Sequence, residues 1–251
     1  MHRDGHLQWR AVWCAIGLSA VAIPGSAAEL LPSAVTATQW DGFYVGGQLG
    51  GAWSDTDWHY DNHNWFNTIG PALVGTNFDI DASGVLGGGQ AGFNYQTGAW
   101  VIGIEGSVAG ADLDESRKSP FFPTSDTYTA EVNWLTTATG RIGYAQDKWL
   151  AYVKGGWAGA NVELTLFDHG TPVRASSSDW ANGWTVGGGA EYAFCKSFSL
   201  GVEYDYADLD KDHWKISCPT CPSGVGGGVP VVDGDIKVQS VTARLNYRFG
   251  G

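Results

Sequence analysis

The chain has 251 residues, enough for one core or one barrel, and its formal charge of -12 argues against binding nucleic acid through the phosphates. Charged residues make up only 16% while Gly 37 and Trp 13 are both high, and the mean hydropathy is -0.14. No stretch approaches the roughly 20 apolar residues of a spanning helix, which excludes a helical membrane bundle but not a barrel of alternating strands.

Residues 1–28 read as a secretory signal. Arg3 and Arg10 supply positive charge, Ala11 to Ile23 an apolar run ended by Pro24, and Gly25-Ser26-Ala27-Ala28 a small-residue cleavage site. A retained anchor is the alternative, but the apolar run is too short to span. Cys14 lacks the small and leucine residues expected before a lipid-modified cysteine. Residues 29–39 form a periplasmic linker without apolar period, and residues 40–251 the barrel.

Period-two alternation predicts eight strands. The first, 42–54, sets Phe43, Val45, Leu49 and Trp53 against Tyr44, Gly46, Gln48, Gly50 and Ala52. The second, 84–96, turns Val85, Ala91, Phe93 and Tyr95 outward and Gln90 and Asn94 inward. In the third, 99–111, Trp100, Ile102, Ile104 and Val108 oppose Gly103, Glu105 and Ser107. The fourth, 129–145, faces Val132, Trp134, Ile142 and Tyr144 outward and Asn133, Thr137, Thr139 and Arg141 inward. The fifth, 149–163, brings Tyr152 and Lys154 inward, and the sixth and seventh cover 180–194 and 198–207. The eighth, at the C-terminus, puts Val241, Ala243, Leu245, Tyr247 and Phe249 on one face and Thr242, Arg244, Asn246 and Arg248 on the other.

Short turns begin at Thr97, Gln146 and Cys195, at even intervals. Long loops are expected over 55–81, 112–128, 164–179 and 208–235. Short turns at one end and long loops at the other describe an antiparallel up-and-down outer-membrane barrel, with turns in the periplasm and loops outside the cell. Outward aromatics form two belts: Phe43, Tyr95, Trp100, Tyr144, Trp149, Phe194, Phe198 and Phe249 at the turn end, and Trp53, Trp134, Trp157, Trp184 and Tyr206 at the loop end. Between Trp134 and Tyr144 the strand rises about 23 Å along the membrane normal, at roughly 3.3 Å per residue and a tilt near 45°.

Each strand also brings one strongly polar residue inward: Gln48, Gln90, Glu105, Arg141, Lys154, Glu191, Glu203 and Arg244. Their charges cancel. Eight strands enclose a lumen just wide enough for side chains, and buried charges must pair, so these residues are expected to form a neutral plug. Glycines such as Gly46, Gly88, Gly103, Gly143, Gly156 and Gly187 leave room for it.

The motifs Trp40-Asp41-Gly42-Phe43-Tyr44-Val45-Gly46-Gly47, Gly92-Phe93-Asn94-Tyr95-Gln96, Gly103-Ile104-Glu105-Gly106, Gly140-Arg141-Ile142-Gly143-Tyr144-Ala145, Gly189-Ala190-Glu191-Tyr192, Glu203-Tyr204 and Leu245-Asn246-Tyr247-Arg248-Phe249 cover nearly all the exported chain. With them the chain resembles the porin-like outer-membrane immunogenic proteins of alphaproteobacteria, related to the opacity-type eight-stranded barrels. The resemblance implies an envelope-structural surface protein with weak porin-like conductance, or else one that binds haem or adheres through its loops. It implies outer-membrane lipid and lipopolysaccharide as surroundings. It also implies the barrel assembly machinery and periplasmic chaperones as partners, with Leu245, Tyr247 and Phe249 as the assembly signal. The family ends on its terminal Phe, whereas Gly250 and Gly251 follow here, and the cysteine-bearing fourth loop departs from the family.

The residues offer no catalytic set and no resident cofactor. His59, His63, His169 and His213 all fall in expected loops, none beside an outward strand serine. His59 and His63 are the haem or metal candidates; two unrelated loop histidines are the bland alternative. Cys218-Pro219-Thr220-Cys221 is expected to close a loop disulfide after export rather than act in redox chemistry, because no helix of a βαβ unit follows it. Cys195 would then stay unpaired.

Overall fold

The computed structural model describes residues 39–62, 77–118, 124, 126–169, 173–215 and 231–249. They form eight strands: β1 Gly42–Asn62, β2 Asn77–Thr97, β3 Trp100–Lys118, β4 Asp126–Gln146, β5 Trp149–Asp168, β6 Val173–Ala193, β7 Phe198–Lys215 and β8 Val231–Arg248. Each pairs antiparallel with its neighbours in sequence, and β8 returns to β1 to close the barrel. The three short turns fall where alternation stops. Gly98 and Asp147 supply the positive φ values, 61° and 53°, that two of them need.

The facing of the side chains follows the alternation over most of the wall. Phe43, Val85, Trp100, Ile104, Val153 and Val202 are all more than half exposed and look away from the barrel. The turn-end aromatics pack across neighbouring strands, Phe43 on Phe93 at 4.8 Å and Trp149 on Tyr192 at 4.9 Å between ring centroids. Trp53, Trp134, Trp157 and Trp184 stand exposed in the upper belt, joined by Trp180.

The strands run well past their expected ends. Much of what reads as long loop at 55–81, 112–128, 164–179 and 208–235 belongs to strands. His59 of β1 and His213 of β7 therefore lie on strands, not in loops. The reason is a reversal of polarity. Below the upper tryptophans the wall is apolar outside and polar inside; above them Asp55, Asp57, Asp210 and Asp235 are exposed outside while Leu113, Val162, Leu209 and Ile236 are buried inside. Period two survives the reversal, but a search for apolar outer faces ends at the membrane boundary.

One inward–outward assignment is reversed. Val132, expected outside, is 5% exposed within the barrel. A β-bulge between Val132 and Trp134 places Asn133 as an extra residue opposite the Val162–Asn161 step of β5, and this flips every residue before it to the other face. Trp134 stays on the lipid side as expected.

If the upper lumen is a true apolar core, Leu209→Ala costs about 2–5 kcal/mol of folding stability. Asp210→Ala, one position along on the outer face, changes it by less than about 0.5 kcal/mol. Urea titration in detergent micelles, followed by the mobility difference between unheated and boiled protein, measures both.

Candidate functional site

The lumen is filled in three layers. At the turn end Trp40, just before β1, is fully buried among Val101, Leu150, Tyr152 and Ala193. Its backbone N–H donates to Gln96 Oε1 at 2.7 Å, and the Gln96 N–H in turn donates to Asp41 Oδ1. The guanidinium of Arg248 lies 4.1 Å from the Trp40 ring centroid and donates to the Lys196 carbonyl at 3.2 Å.

Above this base lies the ion network. Arg244, fully buried, holds Glu105 Oε2 at 2.5 Å through Nη2 and Glu203 Oε2 through Nη1. Tyr44 donates to Glu105 Oε2 and Tyr152 to Glu203 Oε2, each at 2.6 Å. Lys154 Nζ lies 2.7 Å from Glu203 Oε1 and 3.0 Å from Asp205 Oδ1. Arg141 donates to Asn94 Oδ1 at 2.9 Å and Glu191 Oε1 at 3.2 Å, between the rings of Tyr44 and Tyr152 at 4.5 and 5.0 Å. Glu191 Oε2 also accepts from Ser199 and Asn246, and Asn246 Oδ1 accepts from Gln90.

Seven of the eight expected girdle residues thus join one network. Gln48 is set apart: it is half-buried and lines a cavity of about 20 Å³ above the network, with Ser107, Thr137, Asp205 and Thr242. Alternation had marked Tyr152, Asn94, Asn246 and Arg248 as inward without giving them a role. Asp205, two residues beyond Glu203 on the same face, is a network member that the sequence pattern does not single out. With Asp205 and Arg248 added, Glu105, Glu191, Glu203 and Asp205 stand against Arg141, Lys154, Arg244 and Arg248, so the lumen stays neutral. The third layer is the apolar core around Leu86, Leu113, Val132, Leu209, Ile236 and Val238.

The network is built twice. Tyr44 on β1 faces Gly92 on β2, which faces Glu105 on β3, and Arg141 of β4 pairs with Gly103. Four strands later Tyr152 faces Gly189, Gly189 faces Glu203, and Arg244 pairs with Gly201. The glycine is required at its place in both halves: a Cβ on Gly189 would lie 2.9 Å from the Tyr152 hydroxyl, and one on Gly92 would overlap that of Tyr44.

The remaining candidates are not gathered into a site. His59 pairs in register with Asn77 and Asp233, while His63 lies outside the described residues. Among the described residues no group of three His, Cys, Asp or Glu could hold a metal. His169 meets Thr127 Oγ1 at 3.2 Å. Cys218 and Cys221 lie outside the described residues. Cys195 is disulfide-bonded, with its partner beyond the described residues, and this corrects the expectation that it stays unpaired. It lies in the β6–β7 turn and is half-exposed. A groove of about 770 Å³, floored by Ala91, Gly106, Ala138 and Gly140 and rimmed by Phe43, Phe93 and Phe249, opens on the apolar outer face and not into the lumen.

A closed antiparallel wall with an apolar band outside, aromatic belts at both edges and an ion-paired lumen defines a transmembrane β-barrel. The chain belongs to the outer membrane protein beta-barrel domain family, which it matches over residues 15–249. The 31 kDa outer-membrane immunogenic protein of Brucella melitensis is 29% identical over 230 residues, covering 87% of this chain and 89% of that protein. The 22 kDa outer membrane protein of Rhizobium leguminosarum bv. viciae is 26% identical over 178 residues, 70% of this chain and 68% of that one. Among solved structures, the outer membrane protein OprG from Pseudomonas aeruginosa aligns with a TM-score of 0.45 at 13% identity, over 86% of this chain and 99% of that chain. Neisserial surface protein A aligns with a TM-score of 0.40 at 14% identity, over 82% of this chain and 97% of that chain. The protein is thus an outer-membrane barrel, a location that implies a lipid and lipopolysaccharide context, and its relatives include proteins named as outer-membrane immunogens.

Removing one partner from a buried ion network strands the others, at a cost of about 3–5 kcal/mol. Arg244→Met therefore destabilises strongly, and adding Glu105→Gln and Glu203→Gln recovers part of the loss. Arg141→Ala costs less, because Glu191 keeps Ser199 and Asn246 while Glu105 keeps Arg244 and Tyr44. Urea midpoints of the four proteins, read from the heat-modifiable band, give the order.

Proposed function

We propose that this protein is a closed, structural barrel that carries a surface-exposed extension and does not conduct solutes. The observation that carries the reading is the continuous filling of the lumen: Trp40 below, the ion network across the middle, and Leu113, Leu209 and Ile236 above. Hydrated ions need a wet path. Here each charged side chain in the middle layer is within ion-pair distance of an opposite charge, Arg248 below it is stacked on Trp40, and the upper layer is mainly apolar, with Ser54 and Thr56 buried beside Val238 and Ile236. The relatives named as outer-membrane immunogens fit a role at the cell surface. On this reading the chain is an envelope component and not an enzyme. Residues 1–28 are removed on export, and the outward Leu245, Tyr247 and Phe249 of the last strand address the chain to the assembly machinery.

The test is planar-bilayer recording on the refolded protein, with folding confirmed by its gel mobility before and after heating. The folded wild type is expected to be silent. Reproducible ion steps from folded protein would overturn the closed reading and make it a small porin.

A further inference from the structure

The lumen is neutral as a whole but not from end to end. In the middle layer Arg141, Lys154 and Arg244 face four carboxylates, Glu105, Glu191, Glu203 and Asp205. The fourth cation, Arg248, belongs to the floor, stacked on Trp40 and bonded to the Lys196 carbonyl. It stands in register with Tyr44, whereas Asp205 stands in register with Ser240, well along β8 toward the loop end. One negative charge of the middle layer is therefore in excess. It is met most thinly at Asp205, whose ion-pair partner Lys154, at 3.0 Å, lies closer to Glu203, at 2.7 Å, and also within 3.6 Å of Glu105.

Asp205 borders the small cavity above the network. At about 20 Å³ it has room for one particle the size of a water molecule. Leu86, Leu135 and Val238 give it an apolar wall, and the rest is oxygen: Gln48 and the hydroxyls of Ser107, Thr137, Thr185, Ser240 and Thr242. Several of these hydroxyls have their protons engaged. Thr185 Oγ1 donates to the Tyr206 carbonyl at 2.8 Å, and one of Ser107 Oγ and Thr137 Oγ1 donates to the other at 2.7 Å. A hydroxyl that donates elsewhere has only lone pairs left to offer. Thr242 adds an independent sign: it is 2% exposed, lines the cavity, and its Oγ1 has no hydrogen-bond partner among the described residues.

We propose that this cavity is a binding site for one dehydrated monovalent metal cation of sodium's size, held by the Asp205 carboxylate and by hydroxyl oxygens that include Thr242 Oγ1. A water molecule would satisfy the hydroxyl and leave the excess charge buried; a cation answers both. Hard cations take oxygen ligands, and the lining offers oxygen alone. Charge and size choose among them. The excess is a single charge, which one carboxylate can carry without a cluster of acids. Calcium needs about six or more oxygen ligands and magnesium keeps waters of its own, for which so small a cavity has no space. The inference uses the lining of this cavity and not closure of the lumen, so ion steps in a bilayer would leave it standing.

The test is the urea midpoint of the processed chain in detergent micelles, read from the heat-modifiable band, in sodium chloride and in N-methylglucamine chloride at matched ionic strength. Sodium should raise the midpoint, and once the site is filled each tenfold rise in free sodium should raise the folding constant tenfold. Asp205→Asn removes the excess charge and Thr242→Val the orphaned hydroxyl. Both should fold in N-methylglucamine at least as stably as wild type and lose the response to sodium. Equal wild-type midpoints in the two salts would overturn the proposal; stability gained only on acidification would then assign the charge to a proton. A sodium response undiminished in Asp205→Asn would overturn it as well, and would move the ion to the aspartates outside the barrel.

Discussion

Arg244 is the point on which the barrel closes. Its guanidinium joins Glu105, from the first half of the chain, to Glu203, from the second, at full burial. β8 must pair with β1 for closure, and the same Arg244 sits in register with Gln48 of β1 and Gly201 of β7. An open sheet would leave both carboxylates and the guanidinium facing each other across water, where their attraction is weak. Closure removes the water and makes the pairing obligatory. Seam and network are in that sense one interaction, which ties the last strand to the third and seventh.

The twofold construction of the network explains how so many charges fit. Each half supplies a tyrosine, a facing glycine, a glutamate and an arginine from four successive strands. Each tyrosine crosses its glycine to reach the glutamate, and the two arginines share the middle of the lumen. The halves differ where Asn94 stands in one and Glu191 in the other, both bonded to Arg141. Two carboxylates there would outnumber the cations; two amides would leave Arg141 only Glu105, at 3.6 Å and shared with Arg244. The asymmetry keeps the charge balanced.

Most of this was legible because period two is a strong signal where one face meets lipid. The strand number, the three turns, the lower aromatic belt and seven network residues followed from alternation and the need for charge balance. What escaped did so for stateable reasons. A bulge at Asn133 shifts phase by one residue with no mark in composition, so Val132 was placed on the wrong face. Asp205 reads as one more acid next to a loop. Gln48 has the polarity of the network but sits above it. In the sequence Trp40 is only the first residue of a motif, and its place as the floor of the barrel depends on Arg248 arriving from the far end of the chain.

The strand ends were the largest departure, and they follow from the solvent. An outer face must match what it touches, so it changes from Val, Ile and Trp to Asp where lipid gives way to water. The inner face then inverts as well, because a wall that is polar outside needs an apolar filling to hold it, as in any soluble sandwich. Closure is needed in lipid, where no backbone group can be left unpaired. It is not needed in water. Among the described residues the β2–β3 ladder stops at Ser83 and Asp114 and the β6–β7 ladder at Asn182 and Asp210, and two sheets rise from a single cylinder with an apolar layer between them. A membrane barrel and a small soluble sandwich thus share eight continuous strands, and the free edges of the sandwich are a consequence of leaving the membrane.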